Sequence, residues 1–267
     1  MPPAADEGPP YELYAIRYAH RDVSVRGEHF YGHDPGCQDP CPIDYYVWAA
    51  VSESDVVVVD AGFTEETAER RGDRHYLRSP VETLAALGVD AGRVGHLVLS
   101  HLHYDHTGHM ADFPAARIVV QRAELAFWTG PHAHRGKHPH LANPDDVAFL
   151  VRENFAGRVT QPDGDHEVLP GVGVHHVGGH TPGLQVVRVR TAAGHAVVAS
   201  DASHFYANIE GDRPYGIVTC LPAMYDAFDR VRALADSAEL IVAGHDPLVL
   251  DRYPAVPGLE GYAVRVA

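Results

Sequence analysis

The chain has 267 residues, 45% of them apolar, without any low-complexity stretch; that is enough for one large core, so a single globular domain is expected over 11–267. Acidic residues number 36 against 21 basic ones, a net charge of −15 that repels phosphate backbones and anionic bilayers and counts against nucleic-acid and membrane partners. No apolar run approaches the roughly 18 residues of a membrane helix and no charged-then-apolar leader opens the chain, so a soluble, cytoplasmic protein is expected.

In chain order, residues 1–10 are rich in proline and acidic residues and are expected to form a disordered extension. Tyr11 to Tyr18 and Tyr45 to Val51 read as strands, and Val56 to Val59 as a short, fully buried one. Phe30, Tyr31, Tyr45, Tyr46 and Trp48 offer an apolar wall for a ligand, though strand aromatics more often fill cores. Cys37, Cys41 and Cys220 are sparse and odd in number, which suits reduced thiols better than a disulfide or a cysteine metal site. Pro80 to Leu87 has helical spacing with Ser79 as N-cap and Gly88 as stop. Val94 to Leu99 is a further strand, and Arg122 to Trp128 a helix. The stretch 128–143 carries His132, His134, His138 and His140 among glycines and prolines, as a lid or rim loop would. Gly173 to Val177, Leu184 to Arg190, Ala196 to Ser200 and Leu240 to Ala243 are the later strands, with a helix over Pro222 to Ala235. These patterns support a mixed α/β or α+β domain.

The chemistry gathers where strands end. Directly after Val94 to Leu99 comes Ser100-His101-Leu102-His103-Tyr104-Asp105-His106-Thr107-Gly108, four potential metal ligands in six positions. With 20 histidines in the chain, composition alone yields such a pattern on the order of one time in a hundred. Three further ligand-type residues close later apolar or glycine-rich approaches: His180 in Gly178-Gly179-His180-Thr181-Pro182-Gly183, Asp201 after Ala196 to Ser200, and His245 after Leu240 to Gly244. Residues two apart in extended chain share a face, so His101 and His103 can grip one ion together. A carboxylate at the end of an apolar strand, such as Asp105 or Asp201, needs a cation or several donors to offset its desolvation.

Taken as a set, these motifs resemble the metallo-β-lactamase superfamily, and within it the N-acyl-homoserine lactonase-like branch. The likeness runs from Val56 to Val59 and Asp60-Ala61-Gly62, through Ile118 to Glu124, Gly164 to Val172 and Asp201-Ala202-Ser203, to Gly244-His245-Asp246. It implies an αββα sandwich, two mixed β-sheets flanked by helices. It implies that His101, His103 and His180 hold one metal, that Asp105, His106 and His245 hold a second, and that Asp201 bridges them, with Asp60 orienting ligands without touching metal. The cofactors implied are two divalent cations, zinc foremost, with iron, manganese or cobalt allowed by an all nitrogen and oxygen donor set.

The activity implied is that of a quorum-quenching lactonase, in which hydroxide held between the metals attacks the carbonyl of a cyclic ester, with Asp105 in the machinery. Lactonases of the branch carry a tyrosine three residues after the bridging aspartate; here His204 stands there, so either His204 or Tyr206 is expected to assist the substrate oxygen. Hydrolysis of a thioester or β-lactam at the same site is the close alternative. Oxidoreduction at iron is a different one, disfavoured because it does not need the Asp105, His106 and His245 set, and a non-catalytic metal-binding module is a third. A small-molecule substrate and a monomer or homodimer complete the expectations.

Overall fold

The computed structural model describes residues 8–267; the extension expected over 1–10 lies outside them up to residue 7. The first half of the chain forms β1 (Glu12–Arg21), α1 (Arg26–His29), β2 (Ile43–Val51), β3 (Val56–Val59), α2 (Glu65–Arg71), β4 (His75–Tyr76), α3 (Pro80–Ala86), β5 (His96–Val98), β6 (Arg117–Val119) and α4 (Arg122–Trp128). There follow α5 (Pro144–Phe155), β7 (Val159–Thr160), β8 (His166–Leu169), β9 (Val172–His176), β10 (Gln185–Thr191) and β11 (Gly194–Ser200). The last elements are α6 (Tyr206–Glu210), α7 (Leu221–Leu234), β12 (Ile241–Ala243), α8 (Leu248–Arg252) and β13 (Ala263–Arg265).

Two sheets result. One runs β13-β1-β2-β3-β5-β6-β7 with β4 paired to β1, the other β12-β11-β10-β9-β8. Each contains parallel and antiparallel pairs, β3 with β5 and β11 with β12 being parallel. The strands are apolar at consecutive positions because both faces are covered. In β3, Val57 and Val59 point into the layer between the sheets, where they join Val174, Val187, Val198 and Val242. Val58 points the other way, toward Leu84 of α3 and Leu150 of α5. In β11, Ala196 and Val198 face the middle layer while Val197 and Ala199 meet Met224, Phe228 and Val231 of α7. Helix, sheet, sheet and helix therefore stack in four layers, the αββα sandwich.

Local signals act where the sequence places them. Ser79 caps α3 by accepting from the Val81 N–H, and Pro80 occupies its first turn. Cys37, Cys41 and Cys220 are free thiols. Gly8, at the end of the described chain, accepts a hydrogen bond from the Arg190 guanidinium and is tied to β10. Among the described residues no helix is long and apolar enough to cross a membrane.

Candidate metal centre

The C-terminal ends of β3, β5, β11 and β12 deliver Asp60, Ser100, Ser200 and Gly244 to one place. Ser200 Oγ lies 2.9 Å from Ser100 Oγ and 3.4 Å from Asp60 Oδ2, joining the two sheets at their edge. The turns off the strands are tight: Asp60 and Ser200 adopt positive φ of 62° and 45°, and a Cβ on Gly244 would meet the Ser200 carbonyl oxygen at 2.5 Å. His101 and His103 follow β5 rather than ending it, yet their rings still meet, with centroids 4.4 Å apart.

Four side chains, His101, His103, His180 and Asp201, bring a potential ligand atom each within 4.8 Å of one another, and Asp105, His106 and His245 form a second such group. Asp201 stands between them with its two oxygens divided. Oδ2 is 3.1 Å from His180 Nε2 and 3.6 Å from His101 Nε2, while Oδ1 is 3.1 Å from His245 Nε2 and 3.3 Å from His106 Nε2. His103 turns Nδ1 to within 3.0 Å of His180 Nε2, so both nitrogens aim at the same point. Asp105 reaches His106 Nε2 at 3.8 Å and His245 Nε2 at 3.9 Å.

The rings are oriented from behind. Nδ1 of His106 donates to Asp60 Oδ2 at 2.7 Å, Nδ1 of His180 to the Ile217 carbonyl at 2.7 Å, and Nδ1 of His245 to the Asp44 carbonyl at 2.9 Å. A proton fixed on Nδ1 leaves the Nε2 lone pair facing the centre, as metal ligation requires. The Nε2 atoms of His101 and His106 are buried with no hydrogen-bond partner, which is costly unless a cation takes those lone pairs. This donor set and these orphaned atoms fit a pair of divalent cations.

The electrostatics agree. Burial, then the neighbouring histidines, hold His101 and His103 well below the ordinary imidazole range, so both are neutral. Burial also opposes charge on His106, but Asp60, Asp201 and Asp105 outweigh it and hold this ring well above its ordinary value. The same balance, struck by Asp201 and Asp105, raises His245. Burial opposes ionisation of Asp201 as well, yet His204, His245 and His106 keep it well below the usual carboxylate range. The half of the site around Asp105 thus calls for positive charge, which a cation supplies as well as a proton.

Beyond these ligand-type residues, His204 faces the centre, its Nε2 2.9 Å from Asp201 Oδ2. Tyr206 does not. Its backbone N–H donates to Asp246 Oδ2 at 2.9 Å, which fixes the first turn of α6 and sends the ring into the layer between the sheets under the Arg252 guanidinium, 3.5 Å from the ring centroid. The expectation that Tyr206 assists the substrate is corrected accordingly. Tyr215 does line the cavity, stacked on His204 at 3.3 Å between centroids and 7° between planes. No spacing rule singled it out, because it arrives through irregular chain after a turn at Asp212.

Glu124, fully buried on α4, accepts from the Leu102 N–H at 3.0 Å, the Gly183 N–H at 2.9 Å and Trp128 Nε1 at 2.7 Å, tying both histidine-bearing loops to one carboxylate. Gly183 serves this close approach, since a Cβ there would meet the Glu124 nitrogen at 2.2 Å. Of the early aromatics only Tyr45 lines the cavity; Tyr46 and Trp48 fill the middle layer. The histidine-rich loop gives the cavity Leu141, while His134 and His138 line a separate apolar groove.

A family model of the Metallo-beta-lactamase superfamily matches residues 39–245. An N-acyl homoserine lactonase of Bacillus sp is 28% identical over 189 residues, covering 65% of this chain and 70% of that protein. The chain spans 49% of an N-acyl homoserine lactonase of Bacillus thuringiensis, at 29% identity over 143 residues. Among solved structures, an N-acyl homoserine lactone hydrolase with the product N-hexanoyl-L-homoserine at its catalytic metal centre superposes with a TM-score of 0.71 at 22% identity, over 92% of this chain and 97% of that one. AidC, a dizinc quorum-quenching lactonase, gives 0.66 at 16% identity over 89% and 88% of the two chains. The structural likenesses show a shared fold.

Proposed function

Because the chain belongs to the metallo-beta-lactamase superfamily, we propose that it is a dinuclear metal-dependent hydrolase that opens the cyclic ester of a lactone. Asp201 carries this reading: a single carboxylate with one oxygen toward His101 and His180 and the other toward His106 and His245 is the arrangement of a bridging ligand. His101, His103 and His180 would hold one cation, Asp105, His106 and His245 the other, and Asp201 both. Zinc is the cation proposed, in line with the dizinc structural neighbour, though iron, manganese and cobalt suit the same donors. When bound, such a pair lowers the pKa of water and polarises a carbonyl.

The chain's own groups do the rest. Asp60 and the Ile217 and Asp44 carbonyls keep the ring protons on Nδ1, so the ligand set is preorganised. Burial, then the charges of Asp201 and Asp105, push the Tyr215 phenol far above its ordinary pKa, so it stays protonated and can donate from Oη to the ring oxygen that leaves as alkoxide. His204 holds Asp201 through Nε2 and supports the Tyr215 ring by stacking.

The test is turnover by zinc-loaded protein offered γ- and δ-lactones, thioesters and β-lactams, alongside metal analysis. Two cations per chain with lactone opening supports the proposal. Two cations with turnover of thioesters or β-lactams and none of lactones refutes it, and one iron per chain with oxidase activity points to the other class of chemistry.

A further inference from the structure

We propose that the mouth of the cavity is an anion subsite, and that the substrate is a small lactone whose side chain ends in a carboxylate; this rests on the lactonase reading above. The cavity measures about 90 Å³, well under the ~300 Å³ at the lower end of ordinary small-molecule pockets. Its lining mixes a few apolar side chains, Ile43, Leu141 and Ile217, with charged ones. Asp105, Asp201 and Tyr215 line it from the metal side, and three guanidinium groups, Arg21, Arg71 and Arg74, line it as well, in a chain whose net charge is −15.

Charge is not balanced within this cluster. Arg21 donates to Asp73 at 2.8 Å and to Glu28 at 2.7 Å, and Arg74 shares Asp73. Arg71 has no carboxylate partner among the described residues. Its guanidinium carbon sits over the Tyr104 ring, 3.3 Å from the centroid, and one amino group donates to the His140 carbonyl at 2.6 Å. Two carboxylates pair with this group of three guanidiniums and leave Arg71 over, while Asp105 and Asp201 on the far side of the cavity are the groups the proposed cations would neutralise.

The cluster is also held in place. Arg74 Nε donates to Tyr104 Oη at 3.1 Å, and that hydroxyl is 3.4 Å from Tyr45 Oη. The Tyr104 N–H donates to the Leu141 carbonyl at 2.7 Å. Tyr104 sits between His103 and Asp105 in sequence, so the platform under Arg71 is part of the loop that carries the ligands. A planar guanidinium held over a ring, with free N–H groups, suits bidentate capture of a carboxylate, and little side-chain entropy remains to be lost.

The experiment compares N-succinyl-homoserine lactone with its terminal carboxamide, matched in size and differing in charge, on zinc-loaded protein. The expected kcat/KM is at least about tenfold higher for the carboxylate, about 1.4 kcal/mol, with the difference carried in KM and shrinking in 0.5 M salt. Arg71→Gln is expected to cut the preference below about threefold, and Arg71→Lys to retain part of it. If the Gln variant does not fold, the wild-type ratio and its salt dependence decide. Equal or better opening of the carboxamide's lactone by wild type overturns the anion subsite and leaves the lactonase reading standing. Failure to open either lactone with two cations bound overturns both.

Discussion

Asp60 offers the sharpest separation between holding the fold together and preparing the metal centre. It is fully buried; Oδ1 accepts the Ser100 N–H at 2.7 Å, and Oδ2 accepts from Ser100 Oγ at 2.8 Å and His106 Nδ1 at 2.7 Å. Asp60→Ala leaves the Ser100 N–H and His106 Nδ1 buried without an acceptor, at about 1–3 kcal/mol each, while Ser100 Oγ can turn to Ser200 Oγ at 2.9 Å, and it keeps a positive φ with a residue less suited to it. About 2–6 kcal/mol of a total that is commonly 5–15 should therefore be lost. Asp60→Asn keeps the shape and, with its carbonyl toward the Ser100 N–H, should lose about 1–2 kcal/mol. Its amide N–H₂ would then face His106 Nδ1, which must become the acceptor, so the proton moves to Nε2 and blocks the lone pair aimed at the second cation. The order of the two variants inverts: Asn is the more stable in urea denaturation of metal-free protein, yet in titration against a chromophoric chelator it loses at least as much affinity for the second cation, about 10–100-fold. An Asn variant that holds both cations within about threefold of wild type would refute the orienting role.

Other outcomes can be stated more briefly. Asp201→Ala should weaken both cations together, by at least about tenfold each, because it removes the shared ligand; loss confined to one of them by metal titration contradicts the bridge. Tyr215→Phe should lower kcat on lactones by about 10–100-fold with KM little changed, whereas Tyr206→Phe should leave kcat within about twofold; the reverse ranking would restore Tyr206 to the site. His29 is buried with both ring nitrogens unpartnered, and burial pushes its pKa down to about 4 from 6.5. Between those values the unfolded chain binds a proton that the folded one refuses, so stability falls as pH falls from about 6.5 toward 4. Metal-free wild type should lose about 2 kcal/mol more than His29→Phe between pH 7 and pH 5 in urea denaturation; identical losses would show that His29 is charged in the native state.

The strands and the convergence of the candidate ligand residues were legible because one physical cause wrote both. A strand covered on both faces must be apolar at consecutive positions, so Val56–Val59 stands out exactly as far as it extends. Where such a run stops at Asp60, Asp201 or His245, a polar group is being placed at the edge of a dry layer, and only a partner or cation justifies it. The helices α2 and α5 went unread although their starts are marked, by Thr64 accepting from the Thr67 N–H and by Asn143 accepting from the Asp145 N–H ahead of Pro144. Their apolar stripes are too thin to announce a helix: α5 buries Leu150 alone, with Val147, Phe149 and Val151 half-covered and Phe155 exposed.

What sequence could not supply is the reach of residues outside regular structure. Tyr206 and Tyr215 are nine positions apart and chemically the same, and proximity to Asp201 points to the one whose ring does not line the cavity. The deciding interaction is between backbone and a distant carboxylate: once the Tyr206 N–H is taken by Asp246, the direction of α6 is set and its first side chain has only the middle layer to enter. The chain then turns at Asp212 and returns Tyr215 over His204. The arginines obey the same logic, since Arg21 on β1, Arg71 at the end of α2 and Arg74 before β4 share no spacing. They converge because Tyr104, fixed between His103 and Asp105, gives Arg71 a face to sit over and Arg74 a hydroxyl to bond. On the proposed reading a pair of cations would set the reaction and this platform would select what reaches them, so substitutions at Tyr104 should alter substrate preference before they alter metal content.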